Sequence, residues 1–557
     1  MKNRFGALLM VGAITASTLA GCGNSANSAD TTGNEINPAT SVADTADNEM
    51  TGSNAGTTTS SLRATSSITF PLAEQKSYTL FSVVNGQTPL DDTYSWNKMQ
   101  EDNNIRFDTQ SVLATDLDEK RNLVLSSGDY PDAFYKSGIS KVDVDKYGKE
   151  GVFIPLEDLM HEYAPNFCAL MDKINGWGYI TAPDGHIYSF PSVDTNAERE
   201  GSGHMWLNKK WMDNLGLKEP TNVDELYDVL KAFKEQDANG NGDPGDEIPI
   251  DFAGTFFMYF TLPYFGMVCS NDTTMRCALI NGEFSYYPTS DEYKEMLRFY
   301  AKLVNEGIMS PDSMTRTWDE ETAMGDHGDV MGCFTAGGAF QIVGRTLNEN
   351  YIIPLPFEKN GYSNTSGITS GGLCITDACE DPETLVAWAD QFYTQEGGIF
   401  YWLGVKDKTY TVSDDGSTWA WKLDGDIGSD ISTVRVKGTI QGAAVAPYVQ
   451  PDFWFTGMTP DTDAAEYFLI QQRMKMLDNS VTVLPPMNYS DEQNNTIATL
   501  SADISTYIDE YTANVVTGNL DLDSTWDEYV SNLKKMGSDE LFEIYTEVYN
   551  AGKGLIQ

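Results

Sequence analysis

The sequence predicts an α/β protein built as two lobes, and three observations predict it. Runs that read as strands alternate with runs that read as helices over residues 78–135. After residue 66 roughly 490 residues remain, more than one typical domain holds. Hydrophobic residues make up 41% of the chain and aromatic ones 11%, enough apolar surface for sizeable cores.

The first segment is an address rather than a fold. Lys2 and Arg4 precede an apolar run over residues 5–19, too short to span a bilayer and suited to a signal peptide over 1–21. It closes on Leu19-Ala20-Gly21-Cys22, which resembles the bacterial lipobox; the alternative is a small-residue cleavage site with an incidental cysteine. A lipidated Cys22 would anchor the chain at the extracellular face of the cell membrane, with no spanning helix. Residues 22–66 are Ser, Thr, Asn, Ala, Asp and Gly with almost no apolar bulk, and such a stretch is expected to be a disordered tether.

The folded part begins near Ile68. Residues 78–84 read as a strand, 96–110 as a short helix leading to a second strand, and 113–125 as a helix. Ser127-Gly-Asp-Tyr-Pro-Asp-Ala-Phe-Tyr135 follows, and the family resemblance described below implies that it runs from a helix into a strand. Ligands of open α/β sheets sit beyond the carboxyl ends of strands, which makes Tyr135 and Lys136 candidates for a cleft; a buried tyrosine and a solvated lysine are the plain alternative. Asp184-Gly-His186-Ile-Tyr188 reads as a hairpin turn, with His186 a turn residue and not a base.

Residues 206–250 read as a strand, a capped helix and a ligand-rich loop. Thr221 and Asp224 have capping-box spacing, and Leu226, Val229, Leu230 and Phe233 form one apolar stripe. The loop offers Asp237, Asn239, Asn241, Asp243, Asp246 and Glu247, alternating oxygen-bearing side chains and glycines that can curl around a structural Ca2+. The EF-hand pattern fits its first positions, but Ile248 occupies the twelfth and the glutamate comes one residue early. A solvated Asx/Gly turn that binds nothing is the alternative. The GxGxxG string inside the loop follows a helix, so a dinucleotide fingerprint is rejected.

Further on, residues 256–268 read as a core helix interrupted by Pro263, 330–334 as a short buried strand, and 352–356 as a return crossing between lobes. Residues 409–423 suggest a hairpin with Trp419 and Trp421 on one face, and Gly537 separates two terminal helical stripes.

Several of these motifs, taken in order, resemble the large extracellular solute-binding lipoproteins of bacterial ABC importers, in the complex-sugar branch. They are Trp211-Met-Asp213-Asn-Leu215-Gly216-Leu217, Pro220, Asp224-Glu225-Leu226, Ala232-Phe233 and the ligand loop, with Ser127-Gly-Asp and Tyr393-Thr-Gln-Glu396-Gly397 elsewhere. Asn208 and Lys210 depart from the pattern, where arginine and aspartate are usual, which bears on ligand specificity more than on fold. The resemblance implies a two-lobe periplasmic-binding-protein-like (type II) fold with a hinge. Lobe 1 is expected over 67–195 and 350–400, and lobe 2 over 205–345 and 401–557. It also implies a monomer that captures an oligosaccharide between the lobes and delivers it to permease subunits.

The chemistry excludes some classes and leaves others open. A net charge of −46, from 36 basic and 82 acidic residues, argues against nucleic acid. Besides Cys22, six cysteines show no zinc spacing; Cys269 and Cys277 could bridge or stay reduced. HExxH, GxSxG and P-loop motifs are missing, and the chain is not expected to be an enzyme. Tryptophan faces suit stacking on sugar rings, and Trp96, Trp206, Trp318, Trp402 and Trp454 are the candidates, of which two or three are expected in the cleft. Trp211, Trp388 and Trp526 sit at helical spacing and are expected in cores. Two other readings stay open: a surface carbohydrate-active enzyme (glycosidase or lyase), and a peptide-binding or adhesion lipoprotein.

Overall fold

The computed structural model describes residues 67–84, 86–194, 203–269, 275–357, 361–364, 366–442, 444–476 and 479–555. The expected signal peptide, Cys22 and the tether lie outside them.

The structure is α/β with two lobes. The first is organised on a six-stranded sheet in the order Tyr448–Val449, Phe190–Val193, Ile368–Ile375, Ala133–Tyr135, Lys76–Val83, Ile105–Val112. Lys76–Val83 runs parallel to both its neighbours, whereas Ile368–Ile375 is antiparallel to Ala133–Tyr135 and Phe190–Val193. Strand residues alternate between faces. Leu80, Ala133 and Tyr135 therefore join one core with Trp96, Phe107 and Trp388, while Phe81, Phe134 and Cys374 enter a second core with Phe153.

The second lobe is mostly helical. A three-stranded sheet, Tyr351–Ile352, His204–Asn208, Cys333–Ala336, packs under the helices Lys209–Leu215, Val223–Glu235 and Asp291–Asn305. The expected stripe is present: Leu226, Val229, Leu230 and Phe233 are all buried. The cap is one residue away from the expected pair. Asn222 is the N-cap and accepts from Glu225 N at 2.9 Å, and the Glu225 carboxylate reaches back to Thr221 N at 2.8 Å. Asparagine caps at least as well as threonine, and the neighbouring choice wins.

Two further expectations change, and one open alternative is decided. Residues 256–268 are not one helix: a turn at Thr255–Met258 tightens into the 3-10 segment Tyr259–Phe265, which tolerates Pro263, before the strand Met267–Val268. Cys269 and Cys277, for which the sequence left bridging and staying reduced both open, form no disulfide. Residues 401–449, expected in lobe 2, pack on the first lobe, because Tyr448–Val449 pairs with Phe190–Val193 and Tyr401 enters the core of Trp96. The second lobe instead takes its C-terminal share from Asp491–Val516, Leu522–Lys535 and Ser538–Leu555.

The strands flanking the interval 194–203 belong to different sheets, and so do those flanking the interval 353–367. Inside the second interval, Tyr362–Asn364 pairs in parallel with Ser480–Thr482. The helix Ala464–Met474 belongs to both lobes. Ile470 packs among the first lobe's Trp419 and Trp454, Leu469 packs with Trp206 and Phe334, and Asp463 holds Arg345 at 2.5 Å.

Candidate functional site

The end of the central strand delivers the first candidates. Tyr135 stacks on Trp96 at 5.3 Å, and both rings are fully buried, with the Tyr135 hydroxyl left without a hydrogen-bond partner. Lys136 follows with a left-handed φ of 49°. Its backbone is fixed by Gly372 O at 3.1 Å and by Val83 N at 3.2 Å. The side chain turns inward, donates to Ile440 O, and lies 5.9 Å from the Tyr401 ring centre. Burial pushes its pKa down to about 7, so near neutrality the amine is easily uncharged.

From Tyr401 an aromatic cluster runs towards the surface. Tyr401 stacks on Tyr448 at 4.4 Å, Trp402 meets Tyr448 edge-on at 5.7 Å, and Trp402 lies 5.0 Å from Trp454. Trp454 in turn stacks on Trp419 at 5.1 Å, with Trp419 and Trp421 on one hairpin face as expected. The Arg435 guanidinium stands 5.9 Å over Trp454 and donates to Gln441 Oε1 at 3.1 Å. Trp402 is half-buried, and the indole N–H groups of Trp402 and Trp454 are buried without acceptors. Apolar faces with donor edges suit a polyhydroxylated ring.

The second lobe carries its own aromatic group. Trp318, half-buried at the start of the helix Trp318–Gly325, stacks on Phe257 at 5.0 Å. Phe256 and Phe260 complete the group, and Phe256 is 48% exposed, an unusual position for a ring that is not used. Gly203, at the end of the interval 194–203, leaves no space for a Cβ against the Phe260 ring (2.3 Å). The helix Ala464–Met474 links the two aromatic groups, because Trp318 packs against the same cluster as Leu469.

The expected residues therefore divide. Trp402, Trp454, Tyr135 and Lys136 are brought into one contiguous part of the first lobe, and Trp318 stands on the second. Trp96 and Trp206 are fully buried, their indoles donating to Asp91 Oδ1 and Ala336 O at 3.1 Å, and Trp454, Tyr135 and Lys136 are buried as deeply, so of the first-lobe candidates only Trp402 presents surface to a ligand in this conformation. Trp211, Trp388 and Trp526 are core residues as expected. Residues outside the sequence-based choice also enter: Arg435, Tyr448, Phe256 and Phe260. The run around Phe256 had a signal, three phenylalanines in five residues, but read as core. Two shallow surface concavities, about 550 Å3 on the Ser538–Leu555 helix and about 480 Å3 beside Thr79 and Leu123, contain none of these side chains.

The ligand loop is held by its own oxygens. Asp237 Oδ2 accepts from Gly242 N at 2.9 Å, Glu247 Oε1 from Ala238 N at 2.9 Å, and the Asn239 and Asn241 amides reach Asp246 at 3.0 and 2.7 Å. Asp243 Oδ1 accepts from Gly245 N at 3.1 Å. Asp237 Oδ1 and Glu247 Oε2 are buried with no hydrogen-bond partner. Two orphaned carboxylate oxygens in one loop are what a hard cation satisfies, so the residues fit Ca2+. Among the described residues no three His, Cys, Asp or Glu side chains cluster as a metal site. The fit therefore depends on asparagine and backbone oxygens, which Ca2+ accepts and softer metals do not. Asn208, one of the two departures from the family pattern, is buried, accepts from Trp211 N and donates to Asp329 and Met331 O at 3.1 Å, and Lys210 pairs with Asp329. Both serve the local fold.

No family model matches the chain. It is 29% identical over 466 residues to the fructooligosaccharide ABC transporter substrate-binding protein FusA of Streptococcus pneumoniae, covering 79% of this chain and 84% of that protein. The chain is a homologue of ABC-transporter substrate-binding proteins for complex sugars. The structure of FusA in complex with kestose matches at a TM-score of 0.69 with 25% identity, over 86% of this chain and 99% of that one. A human-milk-oligosaccharide (HMO)-binding ABC-transporter-associated protein from Bifidobacterium longum infantis shares the fold at a TM-score of 0.72 and 22% identity, with 86% and 99% coverage. FusA has also been solved as an EF-hand mutant, and the alginate-binding protein AlgQ2, similar in fold here (TM-score 0.61, 22% identity, 86% and 99% coverage), without calcium ion. Among the described residues no helix is long and apolar enough to cross a membrane.

Proposed function

We propose that this protein captures an oligosaccharide between its lobes and delivers it to an ABC permease, without chemistry on the sugar. The observation that carries the reading is the homology to FusA across four-fifths of the chain, with aromatic groups on both lobes of this structure. Trp402, with Arg435 and Tyr448 and backed by the buried Trp454, would offer one stacking surface and Trp318 with Phe256 the other. Lobe closure about the crossings would bring both onto one ligand, and the closed form would be what a permease engages. Fructooligosaccharides of the kestose type are the first ligands to try, since FusA carries that description.

Ca2+ at Asp237, Asn239, Asn241, Asp243, Asp246 and Glu247 would brace the second lobe by satisfying the two orphaned carboxylate oxygens. The N-terminal reading completes the picture: a cleaved signal peptide and lipidated Cys22 would hold the folded part outside the membrane on the tether. The test is calorimetry of the mature protein with kestose and nystose, alongside product analysis of the same mixture. Binding without breakdown supports capture. Breakdown would move the reading to an enzyme, and binding of peptides but no sugar would move it to a peptide carrier.

A further inference from the structure

One buried group belongs to none of these roles. Glu321 lies one turn beyond Trp318 on the helix Trp318–Gly325, is 0% exposed, and has no hydrogen-bond partner for either carboxylate oxygen. A buried ionised carboxylate without partners is strongly unfavourable, so the site selects the protonated form.

Its surroundings supply the reason for the selection. Asp251, 1% exposed, faces it and is already committed to Arg316, with Nε at 2.9 Å and Nη2 at 3.3 Å. Arg316 also faces Glu321 and the exposed Asp312, so one guanidinium serves three carboxyl groups. The Cys333 thiol approaches from the strand below. The packed helix Phe340–Leu347 brings Arg345, which turns away to Asp463. Asp319 and Glu320 on the same helix point to solvent, and Glu320 is used in the capping box of Thr317. Burial, then the Asp251 charge, push the Glu321 pKa up to about 8.

The helix has little freedom to absorb a change there. At its far end Gly325 packs so closely on Ile342 O that a Cβ would stand 2.1 Å away. The near end, one turn before Glu321, is where Trp318 rests on Phe257, and among the described residues it has no such backbone contact to pin it. We propose that Glu321 is a positioning residue for Trp318, its uncharged carboxyl seating the Trp318–Gly325 helix beside the Asp251–Arg316 pair so that the ring is held ready for a ligand. This rests on the sugar-capture reading for its consequence, but not for its test.

The test uses mature protein labelled with 5-fluorotryptophan, the Trp318 fluorine signal being assigned with Trp318→Phe. From about pH 6 to about pH 10 the Trp318 signal is expected to shift with a midpoint near that of Glu321, and Glu321→Gln, which keeps shape and removes the titration, is expected to abolish the shift. A Trp318 signal that stays constant in the unsubstituted protein overturns the proposal, and this arm stands even where the variant does not fold. A shift that persists unchanged in a folded Glu321→Gln protein also overturns it. Kestose affinity is expected to fall across the same range in the unsubstituted protein and to stay level in Glu321→Gln. Failure of kestose and nystose to bind at any pH sinks the sugar reading, while the fluorine signal still decides the role of Glu321.

Discussion

Lys136 in the sheet-built lobe and Glu321 in the helix-built lobe are both buried ionisable side chains with few partners, and they are of opposite kinds. Lys136 stands where a strand ends, and there the loop at Ile440 offers a free backbone carbonyl, so the amine finds one acceptor. Glu321 stands on a helix whose backbone groups are already paired, and it finds no donor. Strand ends leave backbone polar groups free to receive a buried side chain, while helix middles do not. The same contrast governs the aromatic groups. In the first lobe they stack several layers deep onto a hairpin, and in the second they form a thin group whose outermost ring is half in water.

That difference can be broken at its strongest point first. Trp454→Ala is expected to cost about 3–5 kcal/mol of stability, read from denaturant unfolding, because the ring is 2% exposed and packed on three other tryptophans. Trp318→Ala removes a half-buried ring and is expected to cost clearly less stability while still weakening sugar binding. Equal stability losses would show that the two groups are alike after all.

The second effect belongs to one lobe alone. Chelation, or Asp237→Ala, is expected to lower the unfolding temperature, since a cation at a hundred times its Kd contributes ~2.7 kcal/mol. Proteolysis should then cut residues 205–333 before it cuts the six-stranded sheet. Loss of protection in both lobes together would contradict a local brace.

A third test sets the two buried groups against each other. Glu321 has its pKa raised, so the stability it contributes is present below the ordinary carboxyl range and is lost as pH climbs towards about 8. Lys136 has its pKa lowered, so its contribution is present above the ordinary lysine range and is lost as pH falls through about 7. Glu321→Gln should flatten the falling slope between about 4.5 and 8, and Lys136→Met the rising slope between about 7 and 10.5, in pH-dependent unfolding curves. A smaller change is expected for Asn222→Ala, about 1 kcal/mol for a lost helix cap in the second lobe. Thr221→Ala should cost less, which separates the observed cap from its neighbour.

Much of this architecture was readable residue by residue. The stripe from Leu226 to Phe233 repeats at helical spacing, and no tertiary contact is needed to see it. The oxygen-rich loop at Asp237 is contiguous in sequence, so its ligand set could be written down directly. The long helix Asp491–Val516 also carries a stripe, Ile497, Leu500, Ile504, Ile508 and Tyr511, and a capping box at Ser490 and Gln493, but threonines and serines between them obscure it. Trp96 and Trp402 differ for a reason no local pattern contains. Trp96 is covered by Tyr135 and Trp388, which arrive from about 40 and 290 positions along the chain, and burial of that kind is a property of the sheet order. Glu321 looks like any surface glutamate in an acidic helix, and only the approach of Asp251 and Arg316 sets it apart.

The strand Ile368–Ile375 lies in the middle of the first sheet, between Phe190–Val193 and Ala133–Tyr135. Its partners are made long before it. At synthesis rates of about 5–20 residues per second, the roughly 240 residues between Tyr135 and Ile375 take on the order of 12–48 s. During that interval Ala133–Tyr135 lacks the neighbour that covers its second edge in the finished sheet, where Lys76–Val83 lies on the other side. That edge is open to a chaperone and hard to lock shut. Under the export proposed for this chain, passage through a membrane as a thread would be helped by a fold whose keystone is delivered late.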